Sequence, residues 1–248
     1  GRADAGDADS STPDASANDD GAIGTDSGVD ARIDIGDAGA DVAADAGPPC
    51  DLKKPFGTPV LVGGMNSAAD DFGARLAVNG TQLFFSSTRF DGVSRIYSAT
   101  RTTAVGAFSA PVQLFGLTGT KLSYPTVSAD GLTMYLVLDT GGLSKLDLYM
   151  AKRASAGADF GAPALALDLS SYPTSESTPY VLPSGKAVYY AGELPVTAPI
   201  GLYRADVTSD GTLANPQGVP GVSGGNLSSP VVTDDELTLY FASDRNII

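Results

Sequence analysis

Between Tyr124 and Arg153 the apolar residues fall in short runs separated by glycine-containing turns, YPTVSADGLTMYLVLDTGGLSKLDLYMAKR. Runs of this length, rich in Tyr, Val, Thr and Leu, predict strands rather than helices. Strand a is predicted over about residues 126–128, strand b over 133–138, strand c over 145–153 and strand d over 162–167. The a–b turn is Ser128-Ala129-Asp130-Gly131, where Gly after Asp supplies the positive φ of a tight hairpin. Strand b is apolar on both faces, with Leu132, Met134, Leu136 and Leu138 on one and Tyr135 and Val137 on the other. A strand covered on both sides loses simple alternation, so this sheet is expected to be sandwiched between others.

The pattern recurs. Phe56-Gly57-Thr58-Pro59, Phe108-Ser109-Ala110-Pro111, Phe160-Gly161-Ala162-Pro163 and the weaker Leu213-Ala214-Asn215-Pro216 place their prolines 52, 52 and 53 residues apart. The strand cores Leu83-Phe84-Phe85, Met134-Tyr135-Leu136, Val188-Tyr189-Tyr190 and Leu239-Tyr240-Phe241 keep spacings of 51, 54 and 51. Ile96-Tyr97, Leu148-Tyr149 and Leu202-Tyr203 keep 52 and 54. A common period near 50 fits propeller blades better than helical solenoids. Pro125, Pro179 and Pro230 are read as standing where strand a begins, since proline is tolerated at strand starts and edges.

The predicted fold is an all-β propeller of four-stranded antiparallel blades, incomplete or open. Blades are expected at about 74–115, 125–167 and 179–219, with a partial one at 229–248, inside a domain spanning 51–248. A lone strand d is expected from Phe56. The last a–b turn, Thr233-Asp234-Asp235-Glu236, lacks the glycine and is expected to differ. Propellers usually need four or more blades, so the reading expects a chain truncated relative to a larger parent, or an open arc. An open arc leaves unpaired edges and a bare blade face, which invites self-association.

These residues resemble the TolB-like (WD40-like) β-propeller repeat, a motif of the form Pro-x-x-Ser-x-Asp-Gly-x-x-Leu-Tyr-Phe-x-Ser-Asp-Arg followed by Asp-Leu-Tyr. Pro125, Ser128, Asp130, Gly131, Tyr135 and Asp147-Leu148-Tyr149 match it in one copy. Pro230, Leu239-Tyr240-Phe241 and Ser243-Asp244-Arg245 match it in the last. The resemblance covers about Phe56 to Arg245. It implies the fold and, by analogy, a role in protein contacts at the bacterial envelope; it carries no reaction, because propellers host many functions.

Charge changes the picture at the N-terminus. Residues 1–49 hold twelve Asp, no Glu and two Arg, so most of the net charge of −14 lies there. That stretch has no aromatic residue and too few aliphatic ones for a core, so residues 1–50 are read as a disordered, self-repelling Asp/Ala/Gly tether. Calcium on its aspartates is the alternative, but EF-hand spacing requires a terminal Glu. No cofactor is expected. The repeat region is nearly neutral, and no basic patch points to nucleic acid. Cys50 is the single cysteine, so an intramolecular disulfide is excluded. There is no starting Met and no apolar run of transmembrane length. An acidic spacer before a propeller is similar to bacterial surface lipoproteins, which places the expected location outside the cytoplasm, in the periplasm or on the surface. A lipid anchor would then lie upstream of Gly1.

Histidine and tryptophan are absent, which removes Ser-His-Asp and Cys-His chemistry and imidazole ligands. In propeller topology the d–a connections and b–c loops share one mouth, and loops on rigid scaffolds carry sites. The candidate binding residues there are Asp70, Asp71, Arg89, Tyr124, Asp139, Tyr172, Glu176 and Glu193, with Asn66, Asp91, Lys121 and Asn226 beside them. No catalytic residue is assigned. The expected function is a non-catalytic binding or scaffold module of the envelope, whose partner is an envelope protein or glycan. A sialidase-like glycosidase or lyase is one alternative: Ser128-Ala129-Asp130-Gly131-Leu132-Thr133 approaches the sialidase Asp-box, but its Gly comes one residue early and no Trp follows. The other is a fragment of a larger surface protein without activity of its own.

Overall fold

The computed structural model describes residues 57–119, 121–141, 146–167, 174–193, 200–222 and 225–244. The expected tether, Cys50, Arg245 and the candidate Tyr172 lie outside these residues. The described chain is all β, and no described helix is long and apolar enough to cross a membrane.

Among the described residues, fourteen strands build three four-stranded antiparallel meanders and one two-stranded hairpin. The first sheet contains β1 (Asp71–Leu76), β2 (Gln82–Ser87), β3 (Arg95–Thr100) and β4 (Val112–Gln113). The second contains β5 (Leu122–Val127), β6 (Thr133–Asp139), β7 (Leu146–Lys152) and β8 (Ala164–Leu165). The third contains β9 (Glu176–Val181), β10 (Ala187–Gly192), β11 (Gly201–Val207) and β12 (Leu213–Gly218). A fourth has β13 (Leu227–Val232) and β14 (Leu239–Ser243). The opening strands β1, β5, β9 and β13 neighbour one another in order along the inner edges. This is an incomplete β-propeller, as the periodicity predicts.

The two-faced strand b explains the stacking. Met134 and Leu136 pack with Phe84, Ile96, Leu117 and Phe160 between the first and second sheets. Tyr135 and Val137, pointing the other way, pack with Val181, Val188, Tyr190 and Tyr203 between the second and third. Each fully buried side chain of this size contributes about 1.5–3 kcal/mol. On the outer face of the first sheet Met65 packs with Phe85, Tyr97 and Ala99, all buried, while Val60 and Leu61 beside it are 86% and 84% exposed; at the other end Leu237 and Tyr240 are 83% and 54% exposed.

The recurrent Phe and the recurrent Gly turn belong to one device. Arg101 lies 4.5 Å over the Phe108 ring, and its Nε donates to the Gly80 carbonyl at 2.7 Å. Arg153 repeats this over Phe160 at 4.4 Å, donating to Gly131 at 2.6 Å. A guanidinium stacked on a ring and bonded to a turn carbonyl ties the c–d corner to the a–b hairpin of the same sheet.

Three expectations are corrected. First, Pro125, Pro179 and Pro230 stand inside β5, β9 and β13, not at their starts, and each predicted blade begins about three residues late. Each proline sits in a β-bulge, where the register skips between Ser123 and Thr126, between Ser177 and Tyr180, and between Ser228 and Val231. The residue before it is left-handed: Tyr124 at φ 52°, Thr178 at 47° and Ser229 at 52°. Proline has no N–H for a ladder, so a bulge that leaves it unpaired accommodates it. Where the first sheet lacks the proline, Gly73 takes the same turn at φ 62°. A left-handed non-glycine costs about 1–2 kcal/mol, so Ser229→Gly is expected to stabilise the chain by up to about 1 kcal/mol. A lower midpoint in urea denaturation would refute that.

Second, residues 57–62 form no strand. An outer strand needs a third strand beside it, and the fourth sheet pairs only β13 with β14 among the described residues. Third, the glycine-free turn keeps the common form. Glu236 N donates to the Thr233 carbonyl at 2.9 Å, as Gly131 does to Ser128 at 2.8 Å, and Glu236 takes the glycine's left-handed conformation at φ 57°. Its carboxylate offsets the strain by accepting from Tyr189 Oη at 2.5 Å and Arg204 Nε at 2.8 Å.

Candidate functional site

The mouth is built by one clamp repeated. In the first, second and fourth sheets the residue before the inner strand bonds the residue that ends or follows strand b. Asp70 N donates to Thr88 Oγ1 at 3.2 Å, and Thr88 N returns a bond to the Asp70 carbonyl at 3.0 Å. Lys121 Nζ donates to Asp139 Oδ2 at 2.9 Å, and Asn226 spans both carboxylate oxygens of Asp244 at 2.7 Å. Asp70 and Asp139 therefore fasten hairpins, and Lys121 and Asn226 do so with them.

Between the first two sheets this end opens into a cleft of about 410 Å³. Phe72, Thr88, Gly92, Val93 and Ser94 line one wall, and Lys121, Ser123, Tyr124, Asp139 and Leu146 the other. Phe72 and Tyr124 meet edge to face with centroids 5.4 Å apart. The bulge aims Tyr124 here, and its amide N–H crosses the seam to Ser86 Oγ at 2.9 Å. Gly73 permits the approach, since a Cβ there would stand 2.9 Å from Tyr124 Cδ1. Ser94 Oγ donates to the Leu122 carbonyl at 2.7 Å, fixing the b–c loop of the first sheet to the second. On that loop Phe90 is 79% exposed.

The other candidates separate into two places. Asp71 and Arg89 meet on the outer face of the first sheet, beside Met65. Arg89 Nη2 donates to Asp71 Oδ1 at 2.8 Å and to the Met65 carbonyl at 2.6 Å, and the guanidinium covers Phe85 and Tyr97. Burial pushes the Asp71 carboxyl upward, but hydrogen bonds from Ser87, Arg89 and Ser67 override it and hold the pKa at about 2. Glu176 and Glu193 lie at the seam of the second and third sheets. Glu176 is 2% exposed. Burial pushes it up to about 7; a Thr174 hydrogen bond opposes the shift, and the charges of Asp147 and Glu193 reinforce it.

Of the residues around the cleft, Phe72, Phe90 and Ser94 carried no functional sign in the sequence, whereas Glu176 was a candidate whose position in the repeat sets it apart. Lys121 and Ser94 gave no signal beyond polarity. Glu176, by contrast, aligns with Leu122 and Leu227, a mismatch visible in the sequence. Among the described residues no three His, Cys, Asp or Glu side chains group so as to hold a metal.

No known family matches the chain, and no curated protein matches its sequence. Solved structures do resemble it. A protein described as TolB from Agrobacterium tumefaciens is 16% identical with a TM-score of 0.49, over 70% of this chain and 54% of that one. TolB from Acinetobacter baumannii is 15% identical with a TM-score of 0.43, over 70% and 37%. A protein described as a 6-phosphogluconolactonase from Bacteroides uniformis is 17% identical with a TM-score of 0.44, over 68% and 46%. The chain thus spans about half or less of the length of these structures. The propeller assignment rests on its own four sheets.

Proposed function

We propose that this chain is a non-catalytic binding module of the bacterial envelope, located outside the cytoplasm, which grips a segment of a partner protein in the cleft between its first two sheets. The observation that carries the reading is the cleft itself: an aromatic pair, Phe72 and Tyr124, beside the Lys121–Asp139 ion pair, with Phe90 exposed on the adjoining loop. Aromatic anchors ringed by polar groups are the usual centre of a protein-binding patch. The mouth carboxylates Asp139 and Asp244 already hold hydrogen bonds from the protein, as does Asp71 on the outer face of the first sheet, which supports recognition over proton transfer. The acidic N-terminal stretch and the TolB-like repeat motif support the location.

The test is retention of solubilised envelope protein and of purified cell-wall glycan by immobilised chain, comparing wild type with Phe90→Ala, Phe72→Ala and Lys121→Glu. Protein retention is expected to fall about tenfold or more in the cleft variants while circular dichroism is unchanged. Retention of glycan alone, or retention indifferent to all three substitutions, would overturn the reading. So would turnover of fluorogenic glycosides.

A further inference from the structure

The first and third sheets carry the same constellation at the same repeat positions. An acid opens the inner strand, and two aromatic residues pair across the second and third strands. In the first sheet these are Asp71, Phe85 and Tyr97, with rings 5.9 Å apart at 25°. In the third they are Glu176, Tyr190 and Tyr203, with rings 5.7 Å apart at 25°. The second sheet has Leu122, Leu136 and Tyr149 there and no acid.

The first copy shows what the constellation holds. The Arg89 guanidinium lies 5.0 Å over Phe85 and 4.9 Å over Tyr97, and 2.8 Å from Asp71 Oδ1. A planar cation bonds a carboxylate and stacks on rings at the same time. In the third copy the acid and the first ring are buried, and neither Glu176 Oε1 nor the Tyr190 hydroxyl has a hydrogen-bond partner among the described residues. Among the described residues the charged groups that act on Glu176, Asp147 on β7 and Glu193 beyond β10, are both acidic. The position of Ser87, whose Oγ accepts from Arg89 Nε, is taken by Gly192. A Cβ there would come within 3.2 Å of Tyr190 Cε2 and 3.6 Å of Glu176 Cγ, so the glycine keeps acid and ring uncrowded.

We infer that the seam between the second and third sheets is a recognition subsite for a guanidinium group, an arginine side chain of a binding partner, with Glu176 as its counter-ion and Tyr190 and Tyr203 as its stacking wall. A buried carboxylate without a counter-charge is costly, and the repeat offers leucine as the ready alternative. Retaining Glu, Tyr and Gly together at one spot serves recognition rather than packing. The inference rests on the reading of the chain as a binding module, but it concerns a seam separate from the aromatic cleft.

The test uses the full chain and ethylguanidinium, with butylammonium as comparison, followed by calorimetry and by the carboxyl NMR signal of Glu176. Saturable ethylguanidinium binding is expected near pH 8 with a lowered Glu176 titration midpoint, weakening about thirtyfold toward pH 5.5 as the carboxyl protonates. Glu176→Leu is expected to abolish binding, and Tyr190→Phe to weaken it severalfold with the fold intact. Phe72→Ala is expected to leave it unchanged, so failure here and failure of the cleft are told apart. Absence of saturable binding, preference for butylammonium, or persistence in Glu176→Leu would each overturn the assignment.

Discussion

Glu176→Leu is expected to stabilise the free chain by about 3 kcal/mol above pH 7, the largest gain a single substitution should give. The folded carboxyl titrates at about 7 and the unfolded one at 4.5, because burial disfavours the anion. The folded state therefore holds the proton more tightly. Its contribution is complete below pH 4.5 and is lost as pH rises through 7. Wild type should weaken across that window and level off above it. Glu176→Gln should flatten this pH dependence, and Glu176→Leu should flatten it and add the packing that Leu122 and Leu227 supply in their own sheets, where they are 2% and 1% exposed. Urea denaturation at intervals from about pH 4 to pH 8 reads both effects. A wild-type stability that rises through this range would refute the assignment of a buried, protonated Glu176. Ethylguanidinium at low, saturating concentration should return part of the lost stability to wild type and none to the leucine variant, which separates a cost retained for recognition from an accident of packing.

The same residue shows where the sequence was legible. Three markers with one period carried the sheets, their order and the two-faced second strand, because blade stacking depends on side-chain pattern, and pattern is written residue by residue. The bulges were not legible. A proline marks a break in ladder bonding without saying whether the strand starts there or skips a residue, and the left-handed Tyr124, Thr178 and Ser229 belong to types that rarely adopt that backbone. Reading the prolines as strand starts left Tyr124 and Glu176 among the loops, when both are strand residues. Glu236 hid for the opposite reason: Tyr189 and Arg204, distant in sequence, stabilise a turn its own residues disfavour. Of the candidate residues, Asp139 lines the cleft between the first two sheets with Tyr124, while Asp71, Arg89 and Glu176 lie elsewhere. Which residues met depended on long-range pairs such as Arg89 with Asp71 and Tyr124 with Phe72, and single-residue polarity does not encode those.

Gly116→Ala is expected to cost about 3 kcal/mol, the largest loss from adding a single methyl group. Gly116 follows β4 on the link to the second sheet, and its φ is not in the left-handed region, so the penalty is steric. A Cβ would lie 2.1 Å from the Phe160 carbonyl oxygen and 3.3 Å from its carbon, less than van der Waals contact allows. Relief requires the chain at Phe160 to move. That residue is 2% exposed, packs edge to face with Phe84 at 6.4 Å, and lies under the guanidinium that ties the corner to Gly131. Displacing it loosens the seam between the first and second sheets, and with it the cleft between Phe72 and Tyr124. Gly157→Ala is the control, because nothing lies within 4 Å of a Cβ there, and its effect should stay within about 0.5 kcal/mol. Urea midpoints of the two variants decide the matter. Equal midpoints would mean that the segment carrying Gly116 yields freely, and that the first two sheets are held together by the inner strands rather than by the Phe160 corner.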